Sequence, residues 1–379
     1  MELEHDVRTG REQRVGYADI PYLILTLLLV LVGLVMLFSA SYASAIHDGL
    51  PPTYYFFRQS VFAAIGISAM LLVGRMNYQF WRVFAFWILG GAILLLIAVA
   101  IPGIGVSHNG ARRWIRIGVE FQPSEFAKLG VVLSFSAMMS VFRDKMKTFR
   151  YGVLPFAAIL AVIAVLLYLE PHMSATVIIL LTGAAMMFLG GTRLRWFLLG
   201  AAAGILLVAV YLSTKGYAGD RIMAWRDPFL YPRDEGYQII QSLYAIGSGG
   251  LFGLGLGRSR QKYLYLPEPE NDYLFAIVCE ELGLAGAFLV LLLFMLLVIR
   301  GYWIAMHARD RFGAMVAAGM TTLLALQVFL NIGVVTNFLP STGISLPFFS
   351  YGGTALVLQL AEMGIVLSIS RYGTQSETE

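Results

Sequence analysis

The stretch IPYLILTLLLVLVGLVMLFSASYASA, which occupies residues 20–45, contains no charged side chain and decides the fold class of this protein. A helix needs about 20 consecutive apolar residues to cross a bilayer. The stretch is also longer than the apolar core of about 7–15 residues that is typical of a cleaved signal peptide. Residues 20–45 are therefore predicted to form a retained membrane-spanning helix.

Further apolar runs follow the first along the chain, separated by charged or Gly/Pro-rich links. Only 13% of the 379 residues are charged and 58% are hydrophobic, whereas soluble domains are about 25% charged. This excludes an ordinary soluble enzyme, and a net charge of +4 spread over so apolar a chain does not indicate a nucleic-acid partner. The sequence predicts an all-α polytopic membrane protein of about ten transmembrane helices. The candidate spans are residues 20–45, 58–74, 83–101, 124–142, 152–169, 175–190, 196–213, 273–299, 312–336 and 351–370.

Lys and Arg are distributed unevenly over the links, and this predicts the orientation. Links on one side contain eleven basic residues and most links on the other side contain none. Because basic links stay in the cytoplasm, we expect both termini there. The basic links are 75–82, 143–150, 191–195 and 300–311, and the links without Lys or Arg are 46–57, 170–174 and 337–350. The predicted parts are an N-terminal tail 1–19, one transmembrane domain 20–371 with a large outer loop 214–272, and a C-terminal tail 372–379.

Two outer links, 102–120 and 214–272, carry basic residues against this rule. A long loop crosses the membrane regardless of its charge, so these can be solvated loop charges. The alternative is that they face an anion at the outer surface. The glycine run at 247–257 lacks the strand and the following Lys-Ser/Thr of a phosphate loop, so it does not indicate a nucleotide site.

An outer-face site has no access to cytoplasmic ATP, so bond formation there must use a substrate that is already activated, such as a lipid pyrophosphate. A carboxylate would then act as general base. Asp272, in LPEPENDYLF (266–275), is the best candidate because it lies where the long loop enters the eighth span. An isolated Asp here would be read as a helix N-cap. Its ionisable neighbours Lys262, Glu268 and Glu280 favour a cavity instead, because charges at a membrane boundary are costly.

A second group of polar residues lies in NGARRWI (109–115) and QPSEFAKL (122–129). Glu125 and Lys128 share one helix face at i, i+3 spacing. They can be a local ion pair on a capped helix or part of a site, and Trp114 can be an interfacial aromatic residue.

The segment NIGVVTNFLPSTGISLPFFSYGGT (331–354) is a Pro/Gly-rich outer link. It can line a site or form a rigid hairpin, because irregular backbone at membrane depth needs cover from protein or a water-filled cavity. Cys279 is predicted to pack within a helix. The five histidines show no zinc-ligand spacing, although a divalent ion (Mg or Mn) shared by Asp272 and a pyrophosphate stays open.

These motifs together closely resemble the SEDS family (shape, elongation, division and sporulation), the bacterial peptidoglycan glycosyltransferases of the FtsW, RodA and SpoVE type. The resemblance covers most of the chain after Val30 and includes GYQIIQSLYAIGSGG from Gly236, SRQKYLYLPEP from Ser259, EELG from Glu280 and TGISLPFFSYGG from Thr342. Two stretches of the segment 331–354, NIGVVT and GISLPFF, are more similar to the FtsW/SpoVE branch than to the RodA branch. The ten helices of this family agree with the count made from the apolar runs.

The resemblance implies that the protein polymerises lipid II into glycan strands at the outer face of the membrane. The essential aspartate of the family maps onto Asp272, which would activate the acceptor 4-hydroxyl for a single inverting displacement. Arg112, Lys128, Arg258 and Lys262 are candidates to bind the pyrophosphates, and Glu125, Glu268 and Glu281 to orient those cations or support the pocket. With Trp114 these form the predicted substrate-binding set.

The resemblance also implies partners. They are a class B penicillin-binding protein acting as transpeptidase, other divisome or elongation proteins, the lipid-pyrophosphate-linked glycan and membrane lipids. One departure is visible, because many relatives read QPDLGT where this chain reads EPHMSA (170–175) and His172 replaces an acidic residue. Three alternatives stay open: a lipid II flippase using Glu125, Lys128 and Glu281 as an intramembrane path, a RodA-like elongation polymerase, and a non-enzymatic scaffold.

Overall fold

The computed structural model describes residues 16–101, 103–108, 111–200, 202, 223–233 and 236–373. Within them the chain forms a helical membrane domain with a small antiparallel sheet on one face, strand order β1-β2-β3. The helices are α1 (Ile20–His47), α2 (Tyr54–Arg75), α3 (Gln79–Ala100), α4 (Pro123–Phe142), α5 (Phe149–Gly152), α6 (Leu154–Leu169), α7 (Met173–Leu189), α8 (Tyr237–Gly249), α9 (Leu274–Met306), α10 (Arg311–Val335) and α11 (Gly353–Arg371). The strands are β1 (Gly105–His108), β2 (Ala111–Ile117) and β3 (Val119–Phe121).

The described helices match nine of the ten predicted spans. Eight are long and apolar enough to cross a membrane, and α7 is a shorter apolar helix. The predicted seventh span, residues 196–213, lies mostly outside the described residues. The polytopic helical fold is thus confirmed. The small sheet between α3 and α4 was not predicted from the sequence.

Helices α4 and α10 form the centre of the bundle. In the most apolar window, 83% of the α4 residues and 72% of the α10 residues are buried, which is why α4 can contain serines and a lysine. Small residues allow close helix approach, as between α2 and α11, where a Cβ on Gly66 would lie 3.2 Å from the Val357 backbone and one on Gly364 2.6 Å from that of Met70.

The two described ends of the chain lie on the same face of the bundle. The Gly16 N–H donates to the Arg371 carbonyl at 2.8 Å, and the Asp19 N–H donates to the Ser370 hydroxyl at 3.1 Å. Arg300, at the end of α9, forms an ion pair with Asp19 at 2.8 Å. This matches the placement expected for an even number of spans.

The long loop before α9 contains ordered structure, of which α8 is the main part. The chain after α8 packs against a break in α9 at Gly283, whose φ is +67°. A Cβ on Gly283 would lie 2.3 Å from the Gly253 nitrogen, and Gly253 itself has φ +77°. The glycine run therefore serves close backbone packing against α9, which agrees with the rejection of a phosphate loop.

Candidate active site

A polar cavity of about 700 Å³ opens among the interhelical links at one end of the bundle. Its wall combines the β2–β3 strands, the first residues of α4, α7 and α11, and the irregular segments before α9 and α11. The second half of the Pro/Gly-rich segment 331–354, from Gly343 onward, therefore lines this cavity. Its polar lining includes Arg58, Arg113, Trp114, Glu120, Gln122, Glu125, Lys128, His172, Ser174, Glu268, Asn271, Asp272, Gln327, Ser345, Ser350, Tyr351, Thr354 and Gln359.

Asp272 lies at this cavity and is not a helix cap. Helix α9 begins at Leu274, and its N-cap is Tyr273, which makes no side-chain capping hydrogen bond. The backbone of Asp272 is fixed instead, because the Asn331 side-chain amide donates to the carbonyls of both Asp272 and Ile344 at 2.7 Å. One amide thus joins the two irregular segments and leaves the carboxylate of Asp272 to face the cavity.

Gly343 keeps the space beside this carboxylate open. Its φ of +68° is a left-handed conformation that favours glycine. A Cβ at this position would lie 3.4 Å from Asp272 Oδ2 and 3.8 Å from Ser174 Oγ. Because Gly343 has no side chain, this space is open, and a hydroxyl group of a ligand can approach the Asp272 carboxylate there.

The electrostatics of the site favour a proton acceptor at Asp272. Burial raises the pKa of its carboxyl to about 6, and the neighbouring Glu268 and Glu270 charges act in the same direction. A carboxylate with this pKa is largely ionised at neutral pH and still accepts a proton more readily than an ordinary aspartate. Asp272 is thus suited to act as a general base.

Three cations line the same cavity from different elements: Arg58 in α2, Arg113 in β2 and Lys128 in α4. Lys128 is 4% exposed and forms an ion pair with Glu125 at 2.7 Å. The local ion pair that the i, i+3 spacing leaves open is therefore present, and both of its residues also line the cavity. Glu125 and Lys128 lie in the first two turns of α4, so this pair lines the cavity near the N-terminus of the helix.

Three helices also begin at the cavity wall. The lining includes Gln122 before α4, His172 before α7, and Gly352 before α11. A helix N-terminus carries unpaired backbone N–H groups and about half a positive charge. The lining also carries the carboxylates of Glu120, Glu125, Glu268 and Asp272. The cavity therefore combines one suitable base with cations and helix N-termini that can each bind an anionic group locally.

His172 lies in this wall as a neutral group. Its ring is 7% exposed, and Nε2 lies 3.3 Å from the Gln122 side-chain nitrogen. Burial lowers the pKa of His172 to about 3, and the charges of Arg113 and Lys128 act in the same direction. The residue that departs from the family pattern therefore contributes hydrogen-bonding capacity and no charge.

A second polar cluster lies away from the cavity, where the loop after α8 meets α1 and α9. Lys262 Nζ pairs with Glu281 Oε1 at 2.9 Å and also donates to the Ser39 hydroxyl and the Gly257 carbonyl. Glu281 further accepts from the backbone N–H groups of Gly257 and Ser259. Glu280 accepts in the same way from the backbone of residues 260 and 261.

The predicted site residues thus fall into two groups. Asp272, Trp114, Glu125, Lys128 and Glu268 line the cavity. Lys262 and Glu281 lie in the second cluster, Arg258 is exposed, and Arg112 extends over Gly105, so these four lie outside its lining. None of these four side chains lines the cavity. Lys262 and Glu281 instead fix the loop between α8 and α9.

The sequence analysis missed Arg113 and Arg58 as cavity residues. In a strand, successive side chains point to opposite faces, so identifying β2 could have separated Arg113 from Arg112. Arg58 had a clearer indication, because it is a basic residue at the outer end of a predicted span, against the charge rule.

A divalent ion would need ligands from outside the protein. Among the described residues no three His, Cys, Asp or Glu side chains are grouped to hold a metal. Asp272 and Glu268, which both line the cavity, could supply two carboxylate ligands of the kind that Mg²⁺ accepts, the remainder coming from phosphate oxygens and water.

The fold and this cavity define a polytopic membrane protein with a polar cavity at one end of its helical bundle, lined by three cations, three helix N-termini and the candidate base Asp272. A family model described as "Cell cycle protein" (FTSW_RODA_SPOVE) matches residues 20–375. The chain belongs to this family.

The relatives are similar over nearly their whole length. Stage V sporulation protein E of Bacillus subtilis is 40% identical over 355 residues, which cover 93% of this chain and 97% of that protein. A probable peptidoglycan glycosyltransferase FtsW of Geobacter sulfurreducens is 39% identical over 356 residues, covering 93% of this chain and 95% of that protein.

Solved structures show the same fold. One chain, from a structure described as "Structural coordination of polymerization and crosslinking by a peptidoglycan synthase complex", superposes with a TM-score of 0.78 at 29% identity, covering 93% of this chain and 98% of that one. The rod shape determining protein RodA of Thermus thermophilus superposes with a TM-score of 0.70 at 27% identity, covering 95% and 98% of the two chains.

Proposed function

We propose that this protein is a peptidoglycan glycosyltransferase that polymerises lipid II at the outer face of the bacterial cytoplasmic membrane, in division or sporulation septum synthesis. The observation that carries the proposal is the carboxylate of Asp272, which faces a cavity that three cations and three helix N-termini also line. The Asn331 amide fixes the backbone of Asp272 in this position. The family membership and the names of the FtsW relatives support the same activity.

In the proposed reaction, Asp272 accepts the proton of the acceptor sugar hydroxyl as that oxygen attacks the anomeric carbon of the lipid-pyrophosphate-linked glycan. The bond from this carbon to the pyrophosphate oxygen breaks, and the pyrophosphate leaves with the electron pair. Inversion in a single displacement needs one base and a stabilised leaving group. Asp272 supplies the base.

Arg58, Arg113 and Lys128 are the side chains suited to the leaving pyrophosphate, together with the N-termini of α4, α7 and α11. Charge-assisted hydrogen bonds strengthen as negative charge develops on the leaving oxygen, so they lower the barrier as well as binding the ground state. Glu125 pairs with the Lys128 ammonium at the cavity wall. Asp272 and Glu268 are the residues that would hold a divalent ion, which would offset negative charge on the leaving group.

The cytoplasmic placement of both termini, and a partnership with a class B penicillin-binding protein, are part of the proposal. The uneven distribution of Lys and Arg over the links supports the first. The similarity to a chain described as part of a peptidoglycan synthase complex supports the second.

The competing function is a lipid II flippase, which would use the buried Glu125–Lys128 pair as a polar path. The test uses the full chain, with and without a cognate transpeptidase, in liposomes that contain fluorescent lipid II. We expect glycan polymer on gel analysis, and no change in the fraction of lipid II that an outer-leaflet quencher can reach. Transfer between leaflets without polymer would contradict the proposal, and parallel reactions with Mg²⁺, Mn²⁺ or EDTA show whether a divalent ion takes part.

A further inference from the structure

Glu170 is a buried carboxyl group that the proposed reaction does not use. It is the first residue after α6. Its backbone N–H donates to the Leu166 carbonyl at 3.2 Å and so caps the C-terminus of that helix. The residue is 1% exposed, and both of its carboxyl oxygens are buried without a hydrogen bond to any described residue. Buried carboxyl oxygens are nearly always paired, so this group calls for an explanation.

The cavity cation Arg113 lies next to this carboxyl. Its guanidinium donates from Nη2 to the carbonyl of Pro171, the residue that follows Glu170. Its positive charge also acts on the Glu170 carboxyl. Because Arg113 lines the cavity as well, one guanidinium connects the buried carboxyl with the proposed pyrophosphate site.

We infer that the protonation state of Glu170 sets how much positive charge Arg113 offers to an anion in the cavity. A protonated Glu170 leaves the guanidinium charge available to a phosphate group. An ionised Glu170 neutralises that charge and repels the phosphate. By linkage, an anion that binds at Arg113 favours the protonated form. Glu170 is thus a positioning residue that acts through Arg113, and this role rests on the proposed function for the identity of the anion.

The direction of the pH effect follows from the surroundings of Glu170. Burial raises the pKa of its carboxyl to about 8, with Arg113 acting in the opposite direction. The neighbouring His172 stays neutral because burial lowers its pKa to about 3, and the Lys128 ammonium is paired with Glu125. The other ionisable groups that line the cavity are Arg58, Glu120, Glu268, Asp272 and Tyr351. Glu170 is therefore mostly protonated at pH 7 and ionised at pH 9, and anion binding should weaken between these values.

The test measures the Kd of fluorescent lipid II for the full-length protein in nanodiscs at pH 7 and pH 9. The pyrophosphate of lipid II is esterified at both ends, so its own charge does not change over this range. We expect the wild-type Kd to rise roughly fivefold or more, as is typical of coupled sites. Glu170→Gln should hold a Kd close to the wild-type pH 7 value at both pH values.

A matched control is Asp48→Asn. Asp48 is an outer-link carboxylate that accepts a hydrogen bond from the Tyr55 hydroxyl and does not line the cavity. This variant should keep the full wild-type pH dependence. Arg113→Gln should bind lipid II weakly at both pH values and lose the pH dependence, because the charge that Glu170 modulates is gone.

Two results would overturn the inference. One is a wild-type Kd that does not change between pH 7 and pH 9, which needs no variant and so does not depend on how Glu170→Gln folds. The other is a Glu170→Gln protein that keeps the wild-type pH dependence, or that lowers kcat while Kd stays the same. The binding assay does not require turnover, so a protein that binds with the expected pH dependence but makes no polymer contradicts the proposed function alone.

Discussion

Two clusters of acidic and basic residues flank the segment that leads into α9, and their hydrogen bonds differ. In the Lys262–Glu281 cluster, each carboxylate accepts several hydrogen bonds and the lysine ammonium makes three contacts. At the cavity, the carboxylate of Asp272 faces open space beside Gly343. Removing one partner of a buried charge pair destabilises a fold, whereas a carboxylate that faces a cavity is available for chemistry. The comparison assigns structure to the first cluster and reaction to the second.

The largest effect should come from Asp272→Asn. The amide cannot accept the hydroxyl proton, so polymer formation from lipid II should fall roughly 10²–10⁴-fold, the usual contribution of a general base. Burial raises the pKa of Asp272 to about 6, so at pH 7.5 the ionised carboxylate costs the folded protein stability. The neutral amide of the variant removes this cost, and Tm at pH 7.5 should not fall. Gel-resolved polymer and the Tm of the same sample check both points. If the variant kept more than a tenth of the wild-type activity, Asp272 would not be the general base and the contrast between the two clusters would not hold.

Glu281→Gln should show the opposite pattern. It leaves the buried Lys262 ammonium without its counter-ion, and breaking such a pair destabilises a protein by about 3–5 kcal/mol. We expect a clearly lower Tm and lower yield. Arg116→Gln is the matched control, because Arg116 pairs with Glu120 at an exposed site and should cost about 0–1 kcal/mol. A stable Glu281→Gln protein that lacks activity would place Glu281 in the chemistry instead.

A smaller effect should separate two arginines that the sequence does not distinguish. Arg113 lines the cavity and Arg258 is exposed outside it. A hydrogen bond to a charged group contributes about 1.5–3 kcal/mol, so Arg113→Gln should weaken lipid II binding at pH 7 roughly 10- to 100-fold. Arg258→Gln should change it less than about twofold. Equal losses in the two variants would mean that the anion site extends beyond the cavity.

Much of the fold could be predicted from the sequence, because apolar run length and basic links act along the chain. Nine predicted spans and the shared face of the two ends follow from these rules alone. The Glu125–Lys128 pair was predictable for the same reason, since both residues lie on one helix turn.

The site was harder to predict because it depends on contacts across distant segments. Asp272 and Gly343 are 71 positions apart in the sequence and adjacent in space. Lys262 and Asp272 share the same loop, yet they face different neighbours, and only the meeting of α1, α9 and the loop backbone separates their roles. Composition and local spacing carry no information about such contacts.

The pH dependence of kcat tests the role of Asp272 as the base most directly. With lipid II saturating in nanodiscs, kcat should be nearly constant from pH 7.5 to about 6.5 and then fall close to tenfold per pH unit below about 6, because only the ionised carboxylate accepts a proton. Lipid II binding should be retained over the same range, and Tm should not fall, because protonation of a carboxyl whose pKa is raised by burial favours the folded state. A kcat that stays unchanged between pH 7 and pH 5, with binding intact, would contradict the account.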